Sequence, residues 1–357
     1  PCTPQKNRKF KIGITSPLPF NDNQLSYENI YFKGPNFDDA SEKTTIITKE
    51  NLQIQKSDLS KDGDFYTYEG DYHSDWNFSL KAPKLSNIPF VFDGKSYQLN
   101  EYNPHYIPQE FSTIYLDINS SWTNSEIERV WKSVQGKKVY IFNQKWHLLT
   151  DDNKDEYLEK VHSLNFSLLP IHQLPTEKNA LIISKANEIA PNLADLKNNN
   201  RFGRRNNFQN FEEEKNFYND FKTFYPEKPI PLYNIGSRLS PYLKTLRELR
   251  YFHYTQGELS TLGQLLKENK FLENLETDKH IVLHDSKMQL TESEGNEKTT
   301  APDHLLRVFQ YNHIMKNIGP MYFTEKIDTN LVNRAKQAYV VSPLSSLIVL
   351  ETQNDYD

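Results

Sequence analysis

The chain has 357 residues, enough for two or three domains, and its 36% hydrophobic and 13% aromatic content is enough to build cores. A net charge of −5 removes the electrostatic case for a nucleic-acid surface, and the basic cluster Arg201, Arg204, Arg205 is soon offset by Glu212 to Glu214. A single cysteine, Cys2, excludes an intrachain disulfide and a cysteine-built zinc site, and no run approaches the ~18 apolar residues of a membrane span. The start at Pro1, with no signal-peptide pattern, reads as a piece of a longer protein.

Residues 1–110 carry strand signals and almost no helix signals. Thr44–Ser57 alternates over Ile46, Thr48, Leu52 and Ile54; Asp64–Tyr72 is aromatic-rich; Trp76–Pro83 alternates around Phe78 and Leu80. Ile88–Leu99 reads as two strands about Asp93-Gly94, a strong hairpin dipeptide. These short strands predict a β-rich, sandwich-like module.

From residue 111 the pattern changes. Phe111–Leu116 is a run of β-branched and aromatic residues and predicts a buried strand. Ile127, Val130, Trp131 and Val134 fall at helical spacing, with Thr123 and Glu126 in position for a capping box. Strands are then predicted at 137–143, 165–174, 179–186, 228–236 and 250–255, and helices at 151–164, 208–224, 240–249 and 257–275. This alternation predicts an α/β domain over 111–276 with a doubly wound, mostly parallel sheet. Residues 277–357 follow as an α+β extension packed on it: a strand at 279–284, a polar loop at 291–302, helices at 302–318 and 331–340, and a strand at 345–352.

Between the first strand and helix of this domain lies D-I-N-S-S, with Asp117, Asn119 and Ser121 at alternate positions, where an open α/β sheet usually carries its ligand. This D-x-N-x-S resembles the metal-ion-dependent adhesion motif of von Willebrand factor A-like domains, and PLYNIGSRLSPYLKTLREL is similar to that family's later strand, turn and helix. APDHLLRVFQYNHIMKNIG and AYVVSPLSSLIVLETQNDYD resemble bacterial exosortase-associated proteins that pair such a domain with a vault/inter-alpha-trypsin (VIT) domain, the MSEP-CTERM or XrtN-system type; the resemblance spans about residues 80–357. It implies a cell-envelope protein, membrane-anchored by segments outside this chain and serving an unidentified envelope protein or the sorting machinery. It also implies a Mg²⁺ site built from Asp117, Asn119 and Ser121, with Thr176 as the second-loop ligand.

A third-loop Asp is expected after the strand at 179–186, where Ser184-Lys185-Ala186 stand instead. An ammonium there opposes a dication and is placed to neutralise Asp117, so the motif reads as a degenerate site that holds no cofactor. In that case Asp117 and Ser121 serve to cap the next helix, and Trp122 joins the site as a binding residue if it is exposed. Glu188 is the substitute ligand on offer. His280 and His284 are predicted on a strand, and His304 and His313 nearly opposite on a helix, so the histidines form no site. Asp303 suits the first turn of a helix, and Phe217, Phe221 and Phe224 form a core-facing stripe. No catalytic motif is present. The expectation is therefore a non-catalytic interaction module. The alternatives are a divalent-metal-dependent adhesion module, and a hydrolytic or transfer enzyme with its acid among Asp117, Asp303 and Glu188.

Overall fold

Turn chemistry sets the pattern of the N-terminal strands in the computed structural model, which describes residues 13–30, 40–54, 59–73, 76–176, 178–186, 189–193, 219–295, 303–324 and 326–345. Strand β1 (Phe20–Asn21) folds back on β2 (Gln24–Glu28) through Asp22 and Asn23, both left-handed, with φ of 47° and 62°. Asp and Asn tolerate that conformation better than other side chains. There follow β3 (Ser41–Ile47), β4 (Leu52–Ile54), β5 (Ser60–Asp62), β6 (Phe65–Asp71), β7 (Asn77–Lys81), β8 (Phe90–Phe92) and β9 (Lys95–Glu101). Asp93-Gly94 makes the β8–β9 hairpin, with φ of 51° and 72°. The sheets β1-β2-β7-β4 and β3-β6-β5 are antiparallel throughout. Trp76, Phe78 and Leu80 form a small core against Tyr27, Ile46, Leu52 and Ile54.

The chain then enters a second unit, Asn103–Glu276 with Gln310–Asp357. Its strands are β10 (Tyr106–Pro108), β11 (Thr113–Asp117), β12 (Lys138–Asn143), β13 (Lys145–Leu149), β14 (Ala180–Ser184), β15 (Ile230–Ile235), β16 (Phe252–Gly257) and β17 (Lys270–Leu272). Six of them form one sheet in the order β13-β12-β11-β14-β15-β16, parallel except for the antiparallel edge strand β13. β10 and β17 pair separately. Every residue of β11 is buried, and alternation divides its side chains between two cores. Ile114 and Leu116 face helices α1 (Asn124–Ser133) and α4 (Leu259–Glu268) through Ile127, Val130, Leu262 and Leu265. Tyr115 faces the other core with Leu243 and Leu246 of α3 (Pro241–Glu248), while α2 (Lys154–His162) covers the first side with Leu158 and Val161.

Residues Thr277–Phe309 return to the first unit. β18 (His280–Leu283) and β19 (Met288–Glu294) extend the hairpin into a sheet of order β18-β19-β9-β8, with β19 antiparallel to all seven residues of β9. Helices α5 (His304–Ile318) and α6 (Thr329–Gln337) complete the described chain, and the Asp328 side chain caps α6.

This architecture corrects the expected fold class. The chain is not built on a doubly wound, mostly parallel sheet of von Willebrand factor A type. It is a strand-rich α/β protein whose nineteen described strands fall into five sheets, of which only one is mixed and the others are antiparallel. Ten of the fourteen strand pairings among the described residues are antiparallel, and five of these are hairpins whose short turns leave no length for a crossover helix. Residues 291–294, expected in a loop, belong to β19. The stretch 165–174, expected as a strand, is irregular and ends in a single 3₁₀ turn, Ile171–Gln173. The helix expected to reach residue 275 stops at Asn269, whose left-handed backbone (φ 50°) redirects the chain into β17. The strand expected at 345–352 and most of the helix expected at 208–224 lie outside the described residues, as do Cys2, Glu188 and the arginines at 201, 204 and 205.

Candidate functional site

The D-I-N-S-S segment leaves the carboxyl end of β11, beside the ends of β14 and β15, with which Asp117, Ser184 and Asn234 share one register row. Asp117 is 3% exposed. One of its carboxylate oxygens, Oδ1, accepts a short hydrogen bond from the Ser167 hydroxyl, and Oδ2 accepts from the Ser184 hydroxyl at 2.6 Å. Burial pushes the Asp117 carboxyl up from its ordinary value, against the pull of both hydroxyls. A small crevice beside it is lined by Asp117, Asn119, Phe166, Ser167, Ala186 and Ser240.

Asn119 is buried and directs both ends of its amide inward. Its Nδ2 donates to the Lys185 carbonyl at 3.1 Å, and its Oδ1 accepts the Ser121 backbone N–H at 2.9 Å. The Ser121 hydroxyl lies 2.6 Å from Asn119 Oδ1 and 2.5 Å from the Lys185 carbonyl, and its single proton serves one of them at a time. Trp122 is 2% exposed; its indole N–H donates to the Asp117 carbonyl at 2.9 Å, so it offers no surface. His162 of α2 approaches the Trp122 carbonyl with Nε2 at 2.5 Å.

The cap of α1 is Thr123, not Asp117 or Ser121: Thr123 Oγ1 accepts from the Glu126 N–H at 3.2 Å, and Glu126 Oε2 accepts from the Thr123 N–H at 2.8 Å. The Lys185 ammonium is not spent on Asp117. It donates to both carboxylate oxygens of Glu126, at 2.8 and 2.7 Å. Partial burial works to raise Glu126, but Lys185 and the Thr123 donors outweigh it and hold that carboxyl below its ordinary value.

Thr176 stands apart from the crevice. It is exposed, its hydroxyl accepts from the Lys178 N–H at 3.2 Å, and its backbone is held by the Tyr115 hydroxyl. Ser167, in the segment after α2, is the residue that meets Asp117 instead. The sequence predicts a strand here, and nothing in N-F-S-L-L-P marks Ser167, because its partner is fifty residues away.

Mg²⁺ requires about six oxygen ligands at ~2.1 Å in octahedral array. Here the Asp117 oxygens are taken by hydroxyl donors, the Asn119 oxygen by Ser121, and the Lys185 ammonium stands one residue beyond Ser184. The residues present do not fit the ion. Of the other two candidate acids, Asp303 is bound by Arg307 one helical turn on, at 2.6 Å, and Glu188 lies outside the described residues. Among the described residues no group of three or more His, Cys, Asp or Glu side chains could hold a metal. No protein-family model matches the chain, and no curated protein matches it.

Proposed function

We propose that this chain is a non-catalytic protein-interaction module of a bacterial cell-envelope protein, linked to exosortase protein sorting, and that its Asp117 cluster is a degenerate metal-adhesion site. The observation that carries the reading is that both carboxylate oxygens of Asp117 are committed to the Ser167 and Ser184 hydroxyls within the protein. The envelope location rests on the resemblance of 301–319 and 338–357 to the exosortase-associated proteins, and membrane attachment belongs to segments outside this chain. The net charge of −5 supports a protein partner over nucleic acid. Exposed apolar side chains in the second unit, among them Leu148, Ile189 and Tyr339, supply contact area of the kind interfaces use.

The test is photo-crosslinking of the full-length protein in its native envelope from probes at positions 148, 189 and 339. A specific envelope protein is expected, and its complex with the purified chain should persist in EDTA. Dissociation in EDTA would replace this reading with metal-dependent adhesion. Turnover of ester, peptide or phosphoester substrates that is lost in Asp117→Asn would replace it with an enzyme.

A further inference from the structure

The D-x-N-x-S pattern implies a cation, whereas the residues around it are joined without one, and that disagreement has a structural content. Four segments meet here: the loop after β11, the N-terminal turn of α1, the segment after α2, and the end of β14. Asp117 bridges the first to the third through Ser167 and to the fourth through Ser184. Asn119 and Ser121 reach the Lys185 carbonyl, and the Lys185 side chain returns to Glu126 on α1. The backbone adds Ser120 N–H donating to the Leu164 carbonyl at 2.8 Å.

We propose that this cluster is a cation-independent clasp, in which Ser167–Asp117–Ser184 and Lys185–Glu126 fix the loops after β11, α2 and β14 in a single arrangement. A divalent ion competes with the clasp. To bind at Asp117 it must displace two hydroxyl donors, turn the Asn119 oxygen away from Ser121, and release the Lys185 carbonyl. It must also tolerate an ammonium one residue beyond Ser184, which Glu126 holds in place from two oxygens. Ser184 supplies a donor where a second carboxylate would be needed to offset the charge of the ion. The clasp itself does not rest on the interaction reading; only its corollary does, that docking at this edge of the sheet ignores divalent cations.

Thermal unfolding of the full chain tests the proposal. With about 10 mM Mg²⁺, Mn²⁺ or Ca²⁺, or with EDTA, the midpoint should stay constant to about 1 °C. Ser167→Ala and Ser184→Ala should each lower it by about 3–8 °C, since each withdraws a donor from a buried carboxylate. Glu126→Gln and Lys185→Met probe the second half as a double-mutant cycle, with the double variant expected to lose no more than the larger single loss. A saturable rise of the wild-type midpoint with any of the three metals, abolished in Asp117→Asn, would overturn the clasp. So would strictly additive losses at Glu126 and Lys185. Failure to find an envelope partner would leave these measurements untouched, so the two readings fail separately.

Discussion

His253 lies on β16 with its ring edge-on to Phe271, 5.4 Å between centroids, and its buried Nε2 has no hydrogen-bond partner among the described residues. Burial drives the imidazole down to about 4, against the pull of Glu276. The unfolded ring, near 6.5, takes up a proton that the folded ring refuses. The contribution of His253 to stability is therefore complete above pH 6.5 and is lost as pH falls towards 4. Urea unfolding should show about 2 kcal/mol less stability at about pH 5 than at about pH 7 from this group, and His253→Phe should remove that part of the difference. Asp117 calls for a different substitution. Asp117→Ala strands the Ser167 and Ser184 hydroxyls without acceptors and should cost about 2–4 kcal/mol in urea unfolding. Asp117→Asn keeps an acceptor oxygen and should cost less than half of that.

At the scale of elements, α1 shows how local chemistry and tertiary contact share a residue. Thr123 and Glu126 form the capping box that the sequence predicted, and Glu126 also receives Lys185 from the end of β14. Thr123→Ala should cost about 1 kcal/mol, measured by urea unfolding. Arg250 ends the α3 connection in the left-handed region (φ 62°), and its guanidinium meets Glu276 in a two-pronged pair at 2.6 and 2.9 Å, both side chains being largely buried. Glu276→Ala leaves that charge unanswered and should cost about 3 kcal/mol in the same assay. Neither Arg250 nor Glu276 stands out in the sequence. β19 was illegible for a related reason. Its inward side chain Glu292 breaks the apolar alternation, and Lys95 at 2.8 Å and Tyr97 at 3.2 Å, nearly two hundred residues earlier, help make the burial of that carboxylate tolerable. β13 was missed because the turn before it is marked by Gln144 (φ 62°), with neither Gly nor Pro to signal it.

At the scale of the whole molecule, the first unit is discontinuous in sequence, and β9 depends on a strand that arrives after residues 103–276 of the second unit. Leu290→Pro in β19, opposite Leu99, should therefore lower amide protection over Lys95–Glu101 in hydrogen exchange, while the six-stranded sheet of the second unit keeps its own. Protection retained at 95–101 would show that the β8–β9 hairpin stands without β19. The sequence by itself determined the pieces that short-range physics controls: the β11 run, the spacing and cap of α1, the Asp93-Gly94 hairpin, and the exclusion of an intrachain disulfide. It also located the polar segment at the end of β11. Only the tertiary structure decided the rest. Strand partners, and hence the division into five mostly antiparallel sheets, depend on contacts between distant segments that no local pattern encodes. The fate of Asp117 was settled the same way. The motif supplies a carboxylate, but Ser167 and Ser184, fifty and sixty-seven residues on, determine that it meets hydroxyl donors rather than an ion.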